Sequence, residues 1–150
     1  MSIAVGCDEA AFEMKETMKE YIESLGYDVE DYGVYDKHPV LYPDIAVKVA
    51  KAVADGTHDR GILMCGTGIG MAITANKVPG IRAAQCHDVF SAERARKSNN
   101  AQIMTMGARV IGIELAKLLV HTWLNSEFQG GRSKPKVDKI MEYERVFRTQ

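Results

Sequence analysis

A chain of 150 residues, 46% hydrophobic and 26% charged, is sized and balanced for one globular domain with a buried core. Nineteen Lys and Arg against 20 Asp and Glu leave a net charge of −1, which excludes gripping nucleic acid by bulk positive charge. With no apolar run near the roughly 18 residues of a membrane span, no signal-like start and three unpaired cysteines, the sequence predicts a cytoplasmic protein without a disulfide scaffold.

Short apolar runs alternate with helix-period segments along the chain. Residues 2–7 (SIAVGC) read as a buried strand. Residues 10–25 read as a helix with Phe12, Met14, Met18, Ile22 and Leu25 on one face and Gly26 as its stop. Residues 27–32 alternate like a more exposed strand. Pro43 suits the first turn of a helix reaching Asp55. Residues 61–65 (GILMC) are apolar throughout, as in a central parallel strand. A helix over 70–77 ends at Pro79-Gly80, and a fourth strand covers 81–86. Asp88 is placed to cap the helix carrying 91–98. A fifth strand at 103–106, a helix at 114–124 and a last helix at 135–147 complete the chain.

Five βα units predict an α/β fold: a single domain over 1–150 with a doubly wound parallel sheet and helices on both faces. Ligands of such sheets sit beyond the carboxyl ends of the strands, where the winding reverses. A strand order beginning 2-1-3 would bring the loops after strands one and three into that crevice. The second of these loops carries Cys65-Gly66-Thr67-Gly68-Ile69-Gly70. Glycines allow close backbone approach, and a helix start turns free N–H groups to one point. Such a turn favours a thiolate. The run lacks the spacing of a dinucleotide fingerprint and the Gly-Lys-Ser/Thr of a Walker loop. It also lacks a phosphatase arginine, since Met71 and Ala72 follow it. On chemistry alone, Cys65 is either a reactive thiol or an inert buried one.

The run CGTGIG, followed by Ala75-Asn76-Lys77-Val78-Pro79-Gly80-Ile81-Arg82, with Gly6-Cys7-Asp8 upstream and Gly130-Gly131-Arg132 downstream, resembles the ribose-5-phosphate isomerase B family. That family includes the galactose-6-phosphate and allose-6-phosphate isomerases. The resemblance spans essentially the whole chain. It implies a three-layer α/β/α sandwich with strand order 2-1-3-5-4. It also implies a homodimer with shared active sites, possible pairing of dimers into a tetramer, a small phosphorylated sugar as substrate, and no metal or organic cofactor. The implied reaction moves a proton between C1 and C2 through a cis-enediolate. By the same resemblance Cys65 is the base and Thr67 handles the proton moving between oxygens. Gly66, Gly70 and Asn99 form an anion hole, and Asp8 and Tyr42 contact sugar hydroxyls. Arg109 binds phosphate, while Arg132 and Lys136, near the start of the helix at 135–147, reach the partner's site. As residues, Asp8 is equally a helix cap, Tyr42 a packing group, and the cations ordinary surface charges. Arg82 is read as the partner of a carboxylate beneath the site.

Two departures bear on the substrate. Members acting on ribose 5-phosphate usually have Asp-His after strand one, where this chain has Asp8-Glu9. They also carry a ring-opening histidine where this chain has Ser98, before Asn99. Serine is a poor general acid near neutral pH. A tetrose 4-phosphate needs none, because its C4 oxygen is esterified and it cannot close a furanose ring. The run from His87 to Arg109 also looks like the tetrose-phosphate branch, which favours D-erythrulose 4-phosphate and D-erythrose 4-phosphate. Glu9 must then face sugar hydroxyls or a cation. His87 reads as a half-exposed loop residue, though eligible as a displaced acid, and His121 as packing or surface. Ribose 5-phosphate isomerisation, a hexose-6-phosphate isomerase and a non-catalytic anion-binding module are the alternatives, in that order.

Overall fold

The computed structural model describes residues 1–149. Five parallel strands, β1 (Ser2–Cys7), β2 (Asp28–Asp31), β3 (Arg60–Cys65), β4 (Ala83–Gln85) and β5 (Ile103–Gly107), form one sheet in the order 2-1-3-5-4. Strand composition explains the order. Every residue of β3 and β5 is buried, as are the last five of β1, so these three occupy the middle. The short β2 and β4 carry exposed residues and lie at the edges.

Six helices cover the sheet: α1 (Phe12–Ser24), α2 (Tyr42–Ala54), α3 (Ile69–Ala75), α4 (Val89–Lys97), α5 (Ile113–Leu124) and α6 (Lys134–Arg148). The core gathers Ile3, Met18, Ile22, Ile62, Leu63, Met71, Met104, Met106 and Trp123, all fully buried. Side chains of this size each contribute about 1.5–3 kcal/mol on burial. No helix among the described residues is long and apolar enough to cross a membrane.

Three predicted boundaries shift, each for a hydrogen-bonding reason. The first helix opens as a 3-10 turn at Glu9–Ala11, because Asp8 accepts the N–H groups of Ala10 and Ala11. The fourth strand is shorter than its apolar run. The N–H of Ile81 goes to the Val78 carbonyl and that of Arg82 to the Gln102 side chain, outside the ladder. Leu25, expected on the buried face of α1, caps the helix and is 38% exposed. Asp88 caps α4 as the sequence predicts, accepting the N–H of Ser91 at 2.7 Å.

The winding reverses at β1 and β3. Their register pairs Cys7 with Met64, and β3 pairs Cys65 with Gly107 of β5. The carboxyl ends of the three central strands therefore end side by side, and the loops beyond them share one crevice.

Candidate active site

A cleft of about 410 Å³ opens in that crevice, lined by Asp8, Tyr42, Cys65, Gly66, Thr67, Ile69, Gly70, Ile73 and Arg109. Cys65 is nearly buried, at 5% exposure, and its Sγ accepts the N–H of Gly68 at 3.1 Å. This contact requires the turn to double back, and Gly68 does so with φ of +80°. The same glycine presses on the backbone of Met106, where a Cβ would stand 2.9 Å from the carbonyl carbon. Thr105 Oγ1 locks the turn from below by donating to the Gly68 carbonyl at 2.7 Å.

Thr67 follows Cys65 by two residues. Its Oγ1 accepts the N–H of Ile69 at 3.2 Å, leaving its hydroxyl proton free to be directed into the cleft. Gly70, in the first turn of α3, lies beneath the ring of Tyr42, so closely that a Cβ would overlap the phenol. Tyr42, the first residue of α2, thus packs on the loop and lines the cleft at once. Arg109 enters from the turn after β5, with its guanidinium over Gly66. That turn is tied to the loop after β3 by Ala108 N–H to the Cys65 carbonyl at 2.9 Å and Arg109 N–H to the Gly66 carbonyl at 3.0 Å.

Asp8 is both cap and cleft residue. Burial raises its pKa, and the charge of Glu9 raises it further, while the two backbone N–H groups and Arg109 oppose this. Glu9 meets neither of the partners expected of it. Its Oε2 accepts the N–H of Val40 at 3.2 Å, tying the loop before α2 to the end of β1.

Four expected site residues lie elsewhere in the chain. A βα unit returns its helix antiparallel to its strand, so the end of α4 lies at the amino end of the sheet. Ser98 and Asn99 follow that end. Asn99 borders a separate cleft with Asn76, Arg82, Ala83, Ala84, Ala101 and Ile140. Arg132 and Lys136 start from the same pole, because Gln129 N–H donates to the Lys97 carbonyl just before them. Within one copy of the chain, Asn99 therefore does not join Gly66 and Gly70, and Ser98, Arg132 and Lys136 do not reach the cleft. Arg82 is also at the amino end, not beneath the site. Its Nε donates to the Asn100 carbonyl at 3.0 Å, and Glu144 is the carboxylate that acts on it.

His87 is a half-buried loop residue beyond the fourth strand. Its Nε2 accepts the N–H of Gly107 at 2.9 Å, and it does not line the cleft. His121 is exposed on α5. The sequence reading missed Ile69 and Ile73, which form the apolar wall of the cleft. The i, i+4 spacing of these two on α3 was the available signal.

The Ribose/Galactose Isomerase family matches residues 3–140. The chain belongs to that family. It is 58% identical over 147 residues to the D-erythrulose-4-phosphate isomerase of Pectobacterium atrosepticum, covering 96% of this chain and 95% of that one. It is equally 58% identical over 142 residues to a ribose-5-P isomerase B of Listeria innocua, covering 95% and 96%. Among solved structures, a ribose-5-phosphate isomerase B of Clostridium thermocellum superimposes with a TM-score of 0.96 at 46% identity, over 98% of this chain and 99% of that one. As a member of this family, the chain is an aldose–ketose isomerase of phosphorylated sugars.

Proposed function

We propose that this isomerase acts on a tetrose 4-phosphate, interconverting D-erythrulose 4-phosphate and D-erythrose 4-phosphate through a cis-enediolate. The observation that carries this reading is that neither half of the site supplies a ring-opening histidine: the cleft's lining, among the described residues, holds none, and the residue expected to reach it from a second copy is Ser98. A pentose phosphate must be opened by an acid at its ring oxygen, whereas a four-carbon 4-phosphate arrives open. Ser98 stands where the ring-opening histidine of the family is expected. The Pectobacterium relative adds support through its substrate. The Listeria relative favours the second reading, ribose 5-phosphate isomerisation, at the same identity.

Cys65 thiolate removes the proton from the carbon beside the carbonyl and returns it to the adjacent carbon. Thr67 passes the hydroxyl proton from one oxygen to the other. The N–H groups of Gly66 and Gly70 receive the enediolate oxygen, and one such preorganised donor contributes about 3 kcal/mol. Asp8 and Tyr42 hold sugar hydroxyls, and Arg109 holds the phosphate. Two copies of the chain complete each other's sites, Ser98, Asn99, Arg132 and Lys136 of one approaching the cleft of the other. The exposed apolar residues around the cleft, Leu41, Ile69 and Ile73, support a covering partner. Such a dimer could pair into a tetramer, and its free thiols suit the cytoplasm.

The test is kcat/KM for D-erythrulose 4-phosphate and D-ribose 5-phosphate, with Cys65→Ala as blank. A tetrose preference of about a hundredfold, or about 2.7 kcal/mol, is expected. Equal or faster turnover of ribose 5-phosphate would reject the tetrose reading, and activity in the blank would reject Cys65 as base.

A further inference from the structure

His87 lies two residues beyond β4 and is half-buried, with one ring nitrogen committed: the Gly107 N–H donates to its Nε2 at 2.9 Å. A backbone amide only donates, so Nε2 is the lone-pair nitrogen and the neutral ring carries its proton on Nδ1. Gly107 sits at a crowded junction. A Cβ there would stand 2.5 Å from the Cα of Thr67 and 2.8 Å from the carbonyl oxygen of Gly66. It is also the register partner of Cys65. The next two residues donate to the carbonyls of Cys65 and Gly66. The imidazole thus holds the one glycine at which the base loop and the turn bearing Arg109 meet.

We infer that His87 is a positioning residue for the isomerisation: its neutral ring, by accepting the Gly107 N–H, holds Thr67 and Arg109 in register with Cys65, and its protonation releases that turn. This goes beyond the proposed substrate and rests only on the isomerase activity. The imidazolium carries a proton on both nitrogens, so its Nε2–H would point at the Gly107 N–H, donor against donor. The titratable group that acts on His87 is Asp88, whose carboxylate already accepts the N–H and the hydroxyl of Ser91. From the turn after β5 the facing group is the uncharged Gly107 amide. The loop after β3 adds Thr67, whose carbonyl accepts from the uncharged Gln85. Burial lowers the pKa of His87 from its ordinary 6.5, and the charge of Asp88 opposes this. The neutral, bond-accepting form is therefore the working form at neutral pH, and the bond is lost as pH falls below that range.

The first arm compares pH profiles on whichever of the two sugar phosphates is turned over faster. His87→Gln, whose amide oxygen accepts without titrating, is expected to retain native turnover above neutrality and to make the acid-side fall shallower, leaving only the part that protonation of the base imposes. His87→Leu is expected to lose about tenfold to a hundredfold in kcat, as a small misplacement of reacting groups does. A His87→Gln profile identical to the native one, or a fully active His87→Leu, would overturn the proposal. The second arm needs neither variant nor substrate. In 15N spectra of the native protein, His87 is expected as the Nδ1–H tautomer, with the Gly107 amide shifting as His87 titrates. An Nε2–H tautomer, or a Gly107 amide indifferent to that titration, would overturn it. Absent turnover of both sugars in the native protein would instead count against the proposed substrates, leaving the spectra to decide on His87.

Discussion

Cys7, Cys65 and Cys86 share a side chain and differ in surroundings. Cys7 and Cys86 are fully buried or nearly so, and burial pushes both thiols up to about 12. Cys65 instead borders the cleft and receives a backbone N–H. Iodoacetamide at neutral pH is therefore expected to modify Cys65 first, and peptide mapping that finds Cys7 or Cys86 labelled as fast would contradict this. Asp8 gives a second residue-scale expectation. Its native pKa lies above the ordinary 3.8, so the folded state binds more protons than the unfolded one just above that value, and stability falls as pH rises through the window. Glu9→Gln removes the second-largest cause and should lower the Asp8 midpoint in carboxyl 13C titrations. An unmoved midpoint would assign the whole shift to burial. Glu9 was legible as an acidic residue in the crevice, but its partner Val40 lies 31 positions away and was not.

At the scale of elements, the amino end of the sheet is held by two arginines that no periodicity announces. Arg60 begins β3, at 4% exposure, and donates to the carbonyls of Trp123 and Leu124 at 2.8 and 3.2 Å, closing the end of α5. Its other nitrogen meets Glu127 at 2.7 Å. Arg96 of α4 donates to the Ala101 carbonyl at 2.9 Å, and burial with the charge of Arg60 brings its pKa down to about 10. Arg60→Ala leaves these carbonyls unmet and is expected to cost about 3 kcal/mol in urea unfolding while sparing turnover per folded molecule. An unchanged unfolding midpoint would show that water replaces the guanidinium. At the opposite pole the first turn of α3 meets the start of α2 where Gly70 packs against Tyr42. Gly70→Ala must displace the phenol, and kcat/KM is expected to fall about tenfold. Wild-type kinetics would remove Tyr42 from the site.

The molecule as a whole divides its chemistry between two poles. The carboxyl ends of the strands hold Asp8, Cys65, Thr67 and Arg109, whereas Ser98, Asn99, Arg132 and Lys136 lie towards the amino ends. The proposed homodimer with shared sites makes a sharp prediction. Cys65→Ala and Asn99→Ala, each inactive alone, would form mixed dimers with one complete site, returning about a quarter of native activity under random pairing. No recovery on mixing would show that the two residues do not meet across subunits.

The strand pattern, the Gly-rich turn and the crevice were legible because each rests on local rules: apolar runs without alternation become central strands, and loops after adjacent reversed strands converge. Family resemblance named Cys65, Thr67, Asp8 and Arg109 for one site, and chain direction alone would have sent Ser98 and Asn99 to the other pole. Hydrogen bonds between distant segments were not legible. Lys15 was one of them: fully buried, it donates to Asp31 at 2.7 Å and to the Val34 carbonyl on a helix face that periodicity assigned to apolar residues. His87 was another, since its acceptor role depends on an amide 20 residues on. Sequence determined which elements form and where a ligand must lie, because these follow from neighbouring residues and winding direction. Tertiary structure alone decided which polar groups meet, because a buried donor takes the acceptor nearest in space.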